Sequence, residues 1–585
     1  MIKQNSVDQN SIEYFHDGWK QKIGNIYKIF LKGDDFERGL QYGCLLADEI
    51  KNSINSSIIY FLQSTSYLPG FLKRLSFLIK PLLKVILAKE VNRLARHYPE
   101  WLIREMDGMA KGAGIDAFYI KLVNFYSIKM VEALNLSSCC AFAFTDKNNA
   151  ILNCKNLDWI PTREGIDNLK FLIREDEKGK KFAILSIIGF LTGFEYAMND
   201  EGLAITLTGR YYRGKRKKNI YNTTNLEFRI LREAKNLADV EEIYLQNSAY
   251  NRSHALLISS KKDHDYKLFE ISPITFGIVN SGNGILFNTN TYISPALRLC
   301  NKQWGAMIDN IITDPRYLKL KEYMKNPPDS LEDAFKILAD DQQEGLEAYQ
   351  FLGKGNSLNR FITNASAVIV SGEQEGMWLS KSYTYAGYFP YYFITFSSEP
   401  QNHIKERPAH DIINRETFKN FQEYMNIREH RHFWAYNKII SRGMALLKKE
   451  PENPVFILFT AQNHIKFKNY NKARQVLKQY PAEYLADYWY CLGKVCYELK
   501  NYEEGKMHFS RAMTLPSVDG FELMGQLLCL VQVMKCNKAS GLIDEVNNNK
   551  AAVKTIQQRF TTKHIGMPDY PYMNNITDSL QELVL

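Results

Sequence analysis

Cys139 and Cys140 stand side by side in SSCCAFAFTDKNNAILNCKNLDW, residues 137–159. Two short apolar runs, CAFAFT and AILNCKN, flank the polar DKNN. That pattern predicts a β-hairpin with its turn near 147–148. Paired positions in an antiparallel hairpin have a constant sum. A turn centre near 148 makes the sum near 296 and sets Cys139 opposite residue 157, within a residue or two. Lys155, Asn156 and Asp158 then return beside the cysteines, where directly opposed Cβ atoms lie about 4.5–5.5 Å apart. A thiol flanked by a carboxylate and a cation is the setting of an activated nucleophile. The blander alternatives are a buried strand cysteine, the commoner fate of the residue, and an Asp158 that caps a turn.

These residues need a scaffold. A chain of 585 residues, 45% hydrophobic and 24% charged, is too long for one core and implies two or three domains. Its net charge of +10 comes without a dense basic tract, so nucleic acid is not an expected partner. Nine cysteines, an odd count without framework spacing, argue against a disulfide scaffold. No Cys/His cluster has zinc spacing, and CLGKVC reads as helix packing. The start, MIKQNSVDQNSIEYFHDGWK, has no apolar signal region, and no uncharged apolar run reaches spanning length, so the expectation is a cytoplasmic protein.

Along the chain, IYKIFLKG reads as a strand leading into a helix capped by Asp34 or Asp35. Residues 71–89 form a basic amphipathic stretch with Pro81 as a kink or boundary. It suits either peripheral membrane or lipid contact, or a core-facing helix with its lysines in water. From 137 short strands dominate (LKFLIRE, KFAILSIIGF, LAITLTG, HALLIS, YKLFEIS, ITFGIVN, and later ASAVIVSG, GMWLSKS, YYFITFS), with helices expected at 224–247, 295–313 and 330–341. Many strands with a few long helices argue for an α+β or layered α/β class. After about residue 400 strands stop. NYNKARQVL (469–477) and NYEEGKMHF (501–509) repeat with an offset of 32, and Trp489, Leu492, Gly493, Phe509, Ala512 and Pro516 follow a tetratricopeptide-like pattern.

Residues 26–396 resemble the N-terminal-nucleophile hydrolases of the acyl-coenzyme A:6-aminopenicillanic acid acyltransferase type, with bile-salt hydrolases and acid ceramidases as more distant relatives. Counting from Cys139 puts Lys155 at +16, Asn156 at +17 and Asp158 at +19, where the family has Arg-Asn-x-Asp. Counting from Cys140 shifts the set by one, the spacing of the penicillin acyltransferase itself. Cys139 is the preferred nucleophile, with Cys140 in the family's Ser/Thr slot. GDDFERGLQYGCLLADEI, REMDGMAKGAGID, MNDEGLAIT, LFNTNTY and NASAVIVSGEQEGMWLS follow in the family's order.

The resemblance implies a four-layer αββα sandwich over 26–398, divided into 26–138 and 139–398. An N-terminal polar segment 1–25 would precede it. A linker 399–429, an all-α tetratricopeptide-like domain 430–560 and a tail 561–585 would follow. It implies that the chain cleaves itself before Cys139, whose freed α-amine serves as base for its own thiol. Asp158 would orient the amine, Asn290 would supply an oxyanion donor, and Arg360 would stand where distant relatives have a late arginine. Lys155 replaces the family's Arg and cannot offer its bidentate fork. The second oxyanion Asn has no match in TLTGR, where Thr208 or a backbone N–H would have to substitute. The implied function is a cysteine amidohydrolase or acyltransferase for a small acylated molecule. No bound cofactor or metal is expected; an acyl-coenzyme A co-substrate, held by the basic loop 210–218, is the cofactor candidate. The alternatives are an inactive hydrolase-like scaffold whose helical domain binds a protein partner, and, less favoured, a protease.

Overall fold

A computed structural model of the protein describes residues 3–6, 12–64, 76–134, 138–158, 166–210, 212, 223–246, 253–282, 284–300, 307–308, 311–312, 315–341, 357–360, 362–372, 375–430, 435–515, 522–542 and 544. The chain divides into two compact units. The first holds 1–302, 307–340 and 362–410; the second holds 303–306, 341–361 and 411–585.

Two large sheets build the first unit among the described residues. One runs in the order Lys3–Ser6, His403–Arg407, Tyr391–Thr395, Gly376–Lys381, Thr363–Ser371, Ile151–Asp158, Ser138–Thr145, Ile285–Asn288. The other runs Phe276–Asn280, Asp265–Ile271, His254–Ser260, Leu203–Gly209, Tyr196–Asn199, Lys181–Ile187, Leu169–Glu175, Ile26–Lys32, Gly18–Ile23, Ile12–Phe15. Ile26–Lys32 pairs in parallel with Leu169–Glu175. That is the topology expected when helices fill the crossover between two strands.

The sheets face one another across Leu157, Ala365, Ile369 and Ile394 on one side and Phe171, Leu185, Tyr196 and Met198 on the other. The far side of the ten-stranded sheet, with Ile29, Leu172, Ile205 and Phe269, is covered by helices Asp35–Leu45, Glu100–Ala113 and Thr223–Glu233 among others. On the far side of the eight-stranded sheet lies helix Leu331–Leu338, whose Phe335 meets Trp378 and Tyr391 at ring distances of 5.7 and 4.6 Å. The layers are therefore helix, sheet, sheet, helix, as expected.

Two glycine-bearing motifs gain a physical meaning here. Helix Asp35–Leu45 lies backbone against backbone on Glu100–Ala113. A methyl at Gly39 would sit 2.0 Å from the Glu105 carbonyl oxygen, and one at Gly108 2.1 Å from that of Phe36. The first helix is capped by Asp34, which accepts from the Glu37 N–H at 2.8 Å.

Four expectations need correction. Residues read as a polar segment before the domain carry the strands Lys3–Ser6, Ile12–Phe15 and Gly18–Ile23, which enter both sheets. The supposed linker 399–429 folds into strand His403–Arg407 and most of helix Glu416–His430; the charged side chains of the strand sit on partly exposed positions, so they do not prevent its pairing. Helix Ser76–Ala95 runs through Pro81, so of the two roles expected for Pro81 the boundary is excluded, and one missing ladder bond near the helix start is tolerated. Its outward face also carries Leu82, Val85 and Ile86, all exposed, beside the lysines. The helix expected at 295–313 begins instead at Pro315 and ends at Tyr323; proline is pre-organised for the first helical position.

The second unit is all-helical among its described residues beyond 411. Its repeat shows in the caps. Lys468 and Lys500 both adopt left-handed backbone, φ 59° and 65°. After each, the next N–H reaches back to close the preceding helix, Asn469 to His464 O and Asn501 to Cys496 O, both at 2.8 Å. Gly493 lets the paired helices close, since a methyl there would meet the Phe509 ring at 2.6 Å. The tail 561–585 lies outside the described residues. Each unit has its own apolar core. Truncation after His410 is therefore expected to leave a body with a single cooperative thermal transition; a broad, non-cooperative melt would contradict this division.

Candidate active site

The hairpin forms with the expected register. Cys139 pairs with Leu157, Cys140 with Asn156 and Ala141 with Lys155. Its turn is set by Asp146, whose carboxylate accepts from Asn148 N and Ala150 N at 2.9 and 2.8 Å, and by Asn149 at φ 66°. Since side chains alternate along a strand, the two cysteines part ways. Cys139 joins the core between the sheets. Cys140 shares its side of the strand with Asn156, whose amide donates to Leu338 O at 2.9 Å in the covering helix. Asn156 is thus a strut to the outer layer and not a neighbour of the Cys139 thiol.

Two side chains, Asn290 and Arg316, hold the backbone of Cys139, and further groups brace them. Its backbone N–H donates to Asn290 Oδ1 at 2.9 Å. Asn290 Nδ2 in turn donates to Gly209 O at 2.9 Å, which fixes the orientation of the carboxamide. One guanidinium ties the set together: Arg316 donates to Cys139 O at 3.1 Å, to Asn290 Oδ1 at 2.7 Å and to Asp158 Oδ2 at 3.4 Å. The other oxygen of Asp158 accepts from Thr363 Oγ1 at 2.6 Å. Arg316 did not emerge from the sequence. Its signal was Pro315-Arg316 at the start of a helix, hidden by placing that helix too early. Arg360, the arginine offered instead, belongs to segment 341–361, which groups with the second unit.

Lys155 lies on the Cys139 side and is fully buried. Its ammonium meets Glu195 Oε2 at 2.6 Å and Glu195 O at 3.2 Å, and stands 4.7 Å from the centre of the Tyr196 ring. The cation is therefore already neutralised by a carboxylate that the sequence reading overlooked. Thr208 has two donors on its hydroxyl, Arg210 at 2.7 Å and Asn288 at 3.3 Å. Arg210, the first residue of the basic loop, points inward and is buried against Glu270; the rest of that loop, Tyr212 apart, lies outside the described residues.

The thiol departs from an activated one in the uncleaved chain. Burial pushes Cys139 up to about 11; Glu195 and Asp158 push the same way, while Lys155 and the Asp158 N–H pull it down. Cys140 is raised further, again by burial first. Because Glu195 opposes Lys155 at the thiol, Glu195→Gln should move the pH profile of Cys139 alkylation to lower pH, and Lys155→Met to higher pH. Equal profiles for all three proteins would mean that this pair does not act on the thiol.

Among the described residues one trio could hold a metal: Cys496, Glu504 and His508 in the helical unit, with ligand atoms within 4.8 Å of one another. Both oxygens of Glu504 already accept from Arg474, at 2.7 and 2.9 Å. No helix among the described residues is long and apolar enough to cross a membrane.

In the helical unit, residues 435–512 match the family model described as anaphase-promoting complex, cyclosome, subunit 3. No curated protein matches the chain. Among solved structures, the chain is similar to a Caenorhabditis elegans N-acylethanolamine-hydrolyzing acid amidase ortholog, at 12% identity over 40% of this chain and 93% of that one, TM-score 0.29. It is also similar to penicillin V acylase from Agrobacterium tumefaciens, at 14% identity over 42% and 83%, TM-score 0.27. Residues 144–370, a stretch that begins just past the two cysteines and holds Lys155, Asp158, Asn290 and Arg316, match the model of the acyl-coenzyme A:6-aminopenicillanic acid acyl-transferase family.

Proposed function

We propose that the first unit is a cysteine-nucleophile amide hydrolase or acyl transferase acting on a small acylated molecule, and that it matures by cleavage between Ser138 and Cys139. One observation carries the reading: the Cys139 N–H, which maturation would turn into an α-amine, is held by Asn290 Oδ1, and Arg316 links both to Asp158.

In maturation, Cys139 Sγ attacks the Ser138 carbonyl carbon and the peptide nitrogen leaves, giving an ester of the thiol. Water then hydrolyses that ester, leaving a carboxylate on Ser138 and a free amine on Cys139. An unperturbed α-amine titrates near pH 7.7–8.0, so it can take the proton of its own thiol. In turnover the thiolate attacks the acyl carbon of the substrate. The oxyanion accepts from the second hydrogen of Asn290 Nδ2, the one not given to Gly209 O. The leaving amine carries away the proton held by the α-amine. Water, or an acceptor amine, then takes the acyl group from sulfur. Asp158 and Arg316 hold the amine and the carboxamide in register.

Lys155, paired with Glu195, supplies a compensated charge, so the reading does not rely on it to grip a substrate carboxylate. An acyl-coenzyme A thioester serves as donor in the transferase version. The exposed Leu82, Val85 and Ile86 support contact with lipid and hence a fatty acyl group. The helical unit, with its tetratricopeptide-like repeat, would then bind a protein partner.

Intact mass spectrometry tests the proposal. The expected result is two fragments that separate after Ser138, and on incubation with acyl thioesters an acyl mass on the fragment that begins with Cys139. A single uncleaved chain that never gains an acyl mass would favour an inactive scaffold.

A further inference from the structure

We infer that Arg210 and Glu270 form a buried clamp that positions Asn290, and so sets the oxyanion donor of the reaction proposed above, on which this inference rests. Arg210 directly follows strand Leu203–Gly209 of the ten-stranded sheet, and Glu270 lies on strand Asp265–Ile271 of the same sheet. Thr208 pairs with Ala255 and Ala255 with Glu270, so the end of one strand and the side chain of another meet across a single intervening strand. Arg210 Nη2 lies 3.4 Å from Glu270 Oε1, and both side chains are fully buried.

Neither charge is spent on the partner alone. Arg210 Nη1 donates to the carbonyl oxygen of Thr289, the residue before Asn290. The Glu270 carboxylate accepts from Ile293 N at 3.0 and 3.1 Å and from Ser294 N at 2.8 Å, just after it. Tyr292 lies under the guanidinium at 5.9 Å and donates to Ile271 O at 2.8 Å. The segment 289–294 is thus gripped on both sides of Asn290 by one ion pair, and the Asn290 carboxamide is left to bridge Gly209 O and the Cys139 N–H. A loop end that carries a catalytic donor gains most from such a support, because a misplacement of about 1 Å can cost on the order of 10²-fold in rate.

Both groups are positioning residues and do not touch the thiol. Arg210 has five N–H donors in a planar fork; lysine keeps the charge and one donor direction and loses the rest. Arg210→Lys is therefore the informative variant, since it keeps the positive charge and avoids stranding the buried Glu270 carboxylate as Arg210→Met would.

The experiment measures hydrolysis of an N-octanoyl aminocoumarin amide by the full chain, together with amide hydrogen exchange over 289–294. The expected result for Arg210→Lys is a kcat lower by on the order of 10²-fold with KM within about twofold, and faster exchange confined to that segment. In an Asn290→Ala background the same change should have almost no further effect on kcat, as a double-mutant cycle requires if it acts through Asn290. Full kcat, unchanged exchange, or an undiminished effect in the Asn290→Ala background would each overturn the clamp. A wild-type protein that neither cleaves itself nor hydrolyses the amide would overturn the catalytic reading and this role with it, whereas an active wild type with an equally active Arg210→Lys variant would overturn the clamp alone.

Discussion

Cys139→Ala is expected to abolish both acyl-adduct formation and cleavage after Ser138, while Cys140→Ser keeps most of both. The two thiols are chain neighbours with equal burial, so any generic effect of losing a cysteine should strike them alike. Alternation separates them. Cys139 lies in the core between the sheets, on the side of Lys155, and its own N–H meets Asn290. Cys140 lies opposite Asn156, which braces the outer helix layer. Alanine at 139 removes the nucleophile without a substitute, whereas serine at 140 keeps a small polar side chain of similar volume. Intact mass and fragment size read out both steps. An inactive Cys140→Ser with an active Cys139→Ala would shift the register by one and make Cys140 the catalyst. Full adduct formation by both would remove the hairpin from catalysis.

Asp158→Asn should leave the thermal transition of the first unit in place and lower the turnover rate by about 10²–10⁴-fold, the scale of lost acid–base assistance. The fold should survive because the isosteric amide can still accept from Thr363, now at 2.6 Å, and the position remains buried. What goes is the negative charge beside Arg316 and the group that would orient the α-amine. Arg316 would then face an uncharged oxygen while still reaching Cys139 O and Asn290. A variant that turns over within about threefold of the wild type would show that Asp158 is a strand-end cap and nothing more.

The hairpin itself was legible from sequence because everything that makes it is local. A period of two, a polar break and Asp146-x-x-Asn149 decide the turn, and the turn decides the register that places Cys139 opposite Leu157. Helix caps and the 32-residue repeat are local in the same sense: Asp34 caps its own helix, and the two left-handed lysines close helices by bonds five residues long. Asn156 shows how a spacing motif can mislead when the pleat is ignored. It returns beside the cysteines in sequence, but pairs with Cys140 and points to the outer layer.

The electrostatics of the site were decided by tertiary structure. Arg316 meets Cys139 O across 177 residues of chain, Glu195 meets Lys155 across 40, and Glu270 meets Arg210 across 60. None of these pairings follows from a short-range pattern, since each arises where two strands or a strand and a helix are stacked by burial of apolar faces elsewhere. The same burial turns the thiol from the activated group that its neighbours suggest into one raised to about 11, because desolvation outweighs the nearby ammonium. Sequence determined which residues could meet at the turn of a hairpin; the packing of two sheets decided which charges they would meet there and how strongly each would be felt.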